Sequence, residues 1–263
     1  MLLRRLGNKK KVSKEIQKYF PPHLVYVEPF FGAGGMFFNK PRARYNLVND
    51  LDSEVYNLFN VLMQNKQELI DYLEILPLHA DLKTHWKKNV EQEPVKKAAR
   101  FLFLSNFLVP VTGDLLRDGF DNSKSVTLES ICKTEEFLRK INIRFWNEDF
   151  KDFINRLRPR IGYRDQEVYS YFIYCDPPYV NTSDNYSNSF KEQDFIDLLD
   201  CLEKKCGRMV NYAVSEFAGD FVIEEAKRRE LNIIEIGERQ ALKKRSTEIL
   251  ITNYDTFQLS LFK

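Results

Sequence analysis

The chain has 263 residues, with 40 Lys and Arg against 38 Asp and Glu for a net charge of +2, and 43% hydrophobic and 14% aromatic residues. Such a chain can fold as one large domain, or as a domain carrying an insertion, around a substantial core. No apolar stretch reaches the length of a membrane span, Met1–Arg5 turns polar too early for a signal peptide, and Cys132, Cys175, Cys201 and Cys206 lack paired metal-site spacing, so a cytoplasmic chain with no membrane contact, structural zinc or disulfides is expected.

In chain order, Lys9, Lys10, Lys11, Lys14 and Lys18 first crowd the N-terminus, and a second basic cluster, Lys243, Lys244 and Arg245, comes late. Clusters of this kind are solvated surface, or phosphate contacts when they flank a site that handles nucleic acid. The apolar run from Leu24 to Val27 leads into Glu28-Pro29-Phe30-Phe31-Gly32-Ala33-Gly34-Gly35, a strand followed by a turn whose glycines let the backbone approach a ligand closely. Tyr45–Asp50 reads as a second strand ending in an acid, about twenty residues beyond the turn, the spacing at which a Rossmann-like fold meets ribose hydroxyls. Phe38 and Asn39 stand where a dinucleotide fingerprint needs its third glycine, which disfavours NAD. Ser53 is placed to cap a helix over Glu54–Met63 that carries Val55, Leu58, Phe59 and Leu62 on one face.

From Gln64 to Lys140 the strand–turn–helix rhythm is lost. The segment reads as helical and charged, interrupted by Pro77, Pro94 and Pro110, with Ala98–Phe107 apolar nearly all round and Gly113–Asp121 a glycine-bounded loop. Alternation resumes at Ile141–Phe145, a strand closed by Asp149-Phe150, with a helix over Asp152–Leu157. The run Tyr169–Cys175 is a buried strand that stops on Asp176-Pro177-Pro178-Tyr179. An acceptor carboxylate, two prolines that stiffen the turn and an aromatic face suit a planar, amine-bearing ring such as adenine. Ser189 and Glu192 form a capping box ahead of a helix with Phe195, Leu198, Leu199 and Leu202 at one-face spacing. Strands are expected at Met209–Val214, Asn232–Ile236, Glu248–Thr252 and Phe257–Leu261. His23, His79 and His85 show no metal-ligand spacing and read as surface or loop residues.

Taken in order, these motifs resemble the Dam-like adenine-specific DNA methyltransferases of the D12 class. Gly7-Asn8-Lys9 resembles the N-terminal element of that family, Glu28–Gly34 its cofactor turn, Asn49-Asp50 its acidic strand end, Asp149-Phe150 its D-F element and Asp176–Tyr179 its catalytic D-P-P-Y, with weaker likenesses at Asn211–Glu216 and Glu248–Tyr254. The resemblance implies an α/β, Rossmann-like methyltransferase sheet with helices on both faces, formed by residues 1–63 and 141–263, plus an inserted, mostly helical target-recognition subdomain at 64–140. It also implies S-adenosyl-L-methionine as methyl donor, double-stranded DNA as substrate, and a cognate restriction endonuclease as a conceivable partner.

Site roles follow from that resemblance and from the chemistry. Adenine N6 is a poor nucleophile because its lone pair is delocalised into the ring. Asp176 and the Pro177 carbonyl would accept its two N–H bonds and favour the positive charge that develops on nitrogen, while Tyr179 stacks on the base. Cys175 points to the opposite face and belongs to the core. A duplex base must be flipped out to reach such a turn, and Tyr186 is a candidate to cover it. For the cofactor, Asp50 would hold the ribose, its alternative being a helix cap. Phe30, Gly32 and Gly34 would line the turn, Phe31 joining the core. Asp149 and Phe150 would meet the adenine, and Lys9 and Glu28 the methionine end. Arg5 stands where the family often has an aromatic residue. Arg117, inside the Gly113–Asp121 loop, is the candidate for base or phosphate contact. Two other readings stay open at this stage: a methyltransferase of RNA or protein amides, although glutamine-directed sites usually read N-P-P-Y, and a catalytically silent DNA-binding protein.

Overall fold

The structure is a computed structural model, and it describes residues 2–3, 9, 12–108, 120–159, 170–180, 190–205, 210–240 and 245–256. Its elements in order are α1 (Ser13–Gln17), β1 (Val25–Glu28), β2 (Tyr45–Asn49), α2 (Ser53–Gln64), α3 (Lys66–Ile75), α4 (Ala80–Lys88), α5 (Pro94–Asn106), α6 (Phe120–Arg139), β3 (Ile143–Trp146), α7 (Phe150–Arg156), β4 (Tyr171–Cys175), α8 (Glu192–Lys205), β5 (Val210–Phe217), α9 (Asp220–Arg228), β6 (Asn232–Gln240) and β7 (Arg245–Thr252). The strands form one sheet in the order β3-β2-β1-β4-β5-β7-β6. Pairing is parallel throughout except at β7, which runs antiparallel to both β5 and β6. This is the expected Rossmann-like sheet, and its chain order reverses between β1 and β4.

Alternation along the central strands builds a core on each face. Tyr26, Val48, Phe172, Tyr174, Ala213 and Leu250 point to one side, where α1, α2 and α5 cover them. Val25, Val27, Ile173, Cys175, Val214 and Ile251 point to the other, against α7, α8 and α9. Cys175 is fully buried there, as its position next to Asp176 requires. Burying each of the valine, leucine, isoleucine and phenylalanine side chains among them contributes roughly 1.5–3 kcal/mol. Helices α3 to α6 pack on this core, where Leu69, Leu73, Trp86, Phe101, Phe103 and Ile131 join the same cluster as Phe59 and Tyr26. Within it, α5 is buried nearly all round, and it opens on Pro94 with Glu93 accepting from the Val95 and Lys96 N–H groups. Proline is at home in that first turn, where no intrahelical donor is needed.

Several boundaries moved. Ser53 is the first residue of α2, not its cap; Asp52 takes that role, its carboxylate accepting from Glu54 N at 2.9 Å. β3 begins at Ile143 because Lys140 and Ile141 still donate to Phe137 and Leu138 carbonyls at the end of α6. Helix α7 starts two residues early, at Phe150, because Asp149 caps it. His23 does lie in a loop, but half-buried, with ring centroids 5.8 Å from Tyr26 and 5.2 Å from Phe172, and burial holds its pKa below the usual imidazole value. Arg5, Arg117, Tyr186, Ser189, Cys206, Lys243 and Lys244, with the strand expected at Phe257–Leu261, lie outside the described residues. Among the described residues no helix is long and apolar enough to cross a membrane.

Candidate active site

Every parallel strand ends on one rim of the sheet, and the residues singled out from the sequence gather there. At the end of β1 the chain turns through Gly32, with φ +54°, and Gly34, with φ +70°. Both values lie in the left-handed region that side-chain-bearing residues rarely adopt. A Cβ on Gly34 would sit 2.5 Å from Phe38 Cε2 and 2.9 Å from Phe31 Cζ, whereas one on Gly32 would meet nothing within 4 Å. The first glycine therefore faces open space and the second closes the turn against the core. Asp50, just beyond β2, locks this turn: Gly32 N donates to its Oδ2 at 2.6 Å and Asp52 N to its Oδ1 at 2.8 Å. Asp50 is thus not a helix cap. Asn49, wholly buried, staples three strand ends together, donating to Pro29 O at 3.1 Å and Glu148 O at 3.0 Å and accepting from Glu148 N at 3.0 Å.

At the end of β3, Asp149 accepts from Lys151 N at 2.9 Å, and Phe150 turns toward the β1 turn. Phe30 and Phe150 lie with ring centroids 5.4 Å apart, and Phe190 stands 6.1 Å from each. Phe31 instead packs into the core with Phe37, Phe59 and Phe145. Glu28 is buried beneath the turn and accepts from the Tyr26 hydroxyl at 2.8 Å, and burial holds its carboxyl well above the usual range. An aromatic cluster, an acid bound to the glycine turn and a bare glycine facing open space together fit a nucleoside-bearing ligand.

The D-P-P-Y turn follows β4, next to β1. Asp176 is 21% exposed and lies 3.0 Å from the Lys9 ammonium, which is only 2% exposed. The same ammonium lies 2.6 Å from Glu248 Oε1, donates to the Tyr179 hydroxyl and stands 4.5 Å from that ring's centroid. The Tyr179 hydroxyl donates in turn to Glu248 at 3.3 Å, and its ring meets Phe217 edge-on with centroids 4.2 Å apart. The Lys9 ammonium thus bridges Asp176 of this turn and Glu248 of β7. Pro177 is buried. Beyond the turn, Val180 N donates to Glu216 Oε2 at 3.2 Å and Phe217 N to Glu216 Oε1 at 2.8 Å. Burial pushes the Glu216 carboxyl up to about 8.

Four participants were not assigned a role from the sequence: Glu216, Phe217, Glu248 and Phe190. The two glutamates lie within the weaker likenesses at Asn211–Glu216 and Glu248–Tyr254, a faint signal that could have flagged them. Phe190 precedes α8 and carried no signal of its own. Lys9, Glu28, Phe30, Gly32, Gly34, Asp50, Asp149, Phe150, Asp176, Pro177 and Tyr179 all lie along this rim, whereas Tyr186 and Arg117 lie outside the described residues.

The family described as D12 class N6 adenine-specific DNA methyltransferase matches residues 6–242. Among named relatives, a Type II methyltransferase, M1.LlaDCHI, of Lactococcus lactis subsp. cremoris is 24% identical over 94% of this chain and 93% of its own length. A DNA adenine methylase of Escherichia coli (strain K12) is 24% identical over 89% of this chain and 86% of its own. Solved structures align only loosely: an rRNA methylase from Streptococcus thermophilus covers 93% of this chain and 94% of its own at TM-score 0.38 and 8% identity, too distant to argue from.

Proposed function

This chain belongs to the D12 class N6 adenine-specific DNA methyltransferase family, and on that footing we propose that its rim seats the two reactants on either side of the β1–β4 switch. It is an adenine-specific DNA methyltransferase that uses S-adenosylmethionine, which when bound supplies an electrophilic methyl group on a sulfonium. The fit of that group rests on the donor set present. Asp50 beside Gly32 would take the ribose hydroxyls, Phe30, Phe150 and Phe190 would flank the adenine with Asp149 at its amine, and Glu28 would stand at the methionine end.

On the other side Asp176 accepts one N6 hydrogen of the target adenine, and the Pro177 carbonyl accepts the second. Both acceptors gain strength as nitrogen turns cationic, so they favour the transition state over the ground state. Holding amine and methyl donor in line supplies about 7–11 kcal/mol of barrier reduction. Tyr179 offers its ring to the base, which leaves the stack of double-stranded DNA to reach it. The observation that carries this reading is the adjacency of Asp176 to the glycine turn, fixed by the parallel pairing of β4 with β1.

Site-specific recognition is assigned to residues 64–140, which break the α/β rhythm, with Arg117 as the candidate contact. A cytoplasmic setting fits a DNA substrate, and a cognate endonuclease would make the enzyme half of a restriction–modification pair, as the Type II name of one relative suggests. Transfer of a labelled methyl group to DNA, RNA and protein tests the whole. Label on adenine N6 of DNA at one recurring sequence is expected; label on RNA or protein instead, or sequence-blind labelling of DNA, overturns the reading.

A further inference from the structure

Lys9 brings three donors to the catalytic turn, and Asp176, Glu248 and Tyr179 receive them. The two carboxylates are not equivalent. Asp176 is 21% exposed and 3.0 Å away, whereas Glu248 is 1% exposed and 2.6 Å away. Only Asp176 can face an incoming base. Glu248 arrives from the antiparallel strand β7, where pairing with Phe217 fixes it beside the ring that supports Tyr179. It therefore touches both the cation and the aromatic hydroxyl of the site while being sealed from substrate.

From this geometry we infer that Glu248 is a positioning residue: it keeps the Lys9 ammonium and the Tyr179 ring in place when Asp176 turns its oxygens to adenine N6. An ammonium paired with Asp176 alone would draw that carboxylate's acceptor strength away from N6. Glu248 provides the deeper and closer seat, so that Lys9 stays neutralised when it gives up its contact with Asp176 to N6. The same carboxylate accepts from the Tyr179 hydroxyl and fixes the tilt of the ring. The inference rests on the assignment of Asp176 and Tyr179 to the target base.

The test is a double-mutant cycle of Glu248→Gln and Lys9→Met in the full chain, read by kcat on a DNA substrate and by S-adenosylmethionine titration. Glutamine keeps the shape and can still accept from Tyr179, and only the charge is lost. The expected result is a kcat lowered by up to about 10²-fold, the scale of a misplaced reacting group, with cofactor affinity unchanged. The double variant should be no slower than Lys9→Met alone, because the glutamate acts through the lysine. Multiplicative losses, or an unchanged kcat in Glu248→Gln, overturn the inference. If Glu248→Gln fails to fold, Glu248→Asp, which withdraws the charge by one methylene, takes its place in the comparison of crystal structures. Crystal structures of the unchanged and substituted proteins give an answer independent of turnover: the Lys9 ammonium, 2.6 Å from Glu248 and 3.0 Å from Asp176 in the unchanged chain, is expected to reverse that order in the variant, and an unmoved Lys9 counts against the role. Absence of methyl transfer by the unchanged protein, by contrast, strikes the activity assignment and leaves that crystallographic comparison standing.

Discussion

Two pairs of acids at the sheet rim, Asp50 with Asp149 and Asp176 with Glu248, are held in different ways. On the β1–β2–β3 half, Asp50 and Asp149 are bound by backbone N–H groups of their own or an adjacent turn, at Gly32, Asp52 and Lys151. On the β4–β5–β7 half, Asp176 and Glu248 are bound by side chains, and the Lys9–Tyr179 and Tyr179–Glu248 contacts span 170 and 69 residues of sequence. Backbone donors are rigid and stay put when a ligand arrives. Side-chain donors can rearrange, which a turn must do if it is to exchange an internal partner for a substrate amine. On the proposed reading, the first pair belongs to a preformed mould for a nucleoside and the second to a set of replaceable contacts.

Four substitutions would break or sharpen that contrast. Asp176→Ala should lower kcat by about 10²–10³-fold, the usual loss on removing one preorganised group, while S-adenosylmethionine binding stays measurable; near-normal turnover would remove Asp176 from the chemistry. Gly34→Ala attacks the mould itself. The left-handed conformation costs a residue with a Cβ about 1–2 kcal/mol and the crowding against Phe38 about 1–3 kcal/mol more, so a lower unfolding midpoint and weakened cofactor binding are expected together. Asp50→Ala should weaken cofactor binding by roughly 1.5–3 kcal/mol, the worth of hydrogen bonds to a charged group, and titration calorimetry showing unchanged affinity would leave Asp50 as a mere lock on the glycine turn.

The smallest effect concerns Glu216, which braces Val180 just past the D-P-P-Y turn. Its carboxyl titrates near 8 in the folded chain and near 4.5 unfolded. Between those values the folded state binds more protons, so this group's contribution is full below pH 4.5 and is lost as pH rises through 8. Glu216→Gln should flatten the fall in melting temperature between pH 5 and about 8.5. A variant with the parent's slope would show that the carboxyl is hydrated.

Much of the fold could be read from the chain. The acidic ends of β2 and β4, the glycine turn, the buried α5 and the one-face spacing of α8 were all legible, because each is set by local periodicity or by a residue type with a fixed backbone preference. Elements decided by a single capping bond were less so: Ser53 and Asp52 are both good caps, and only the observed bond separates them. Glu216 and Glu248 look in sequence like ordinary strand glutamates. Glu216 reaches the rim because β5 runs parallel to β4, and Glu248 because β7 runs antiparallel between β5 and β6, which brings the start of a late strand to the rim where the parallel strands end.

The amino-acid sequence by itself determined the strands, their acidic and glycine-rich ends and the order of the motifs, since these rest on neighbours within a few residues. It was also enough to point to the family and to S-adenosylmethionine. Only the tertiary structure decided that Lys9, from before the first strand, lies between Asp176 and Glu248, and that Phe190 joins Phe30 and Phe150. The physical reason is that a buried charge must find its partners in space, whatever their separation along the chain. That requirement places a lysine from the N-terminus at a turn some 170 residues away.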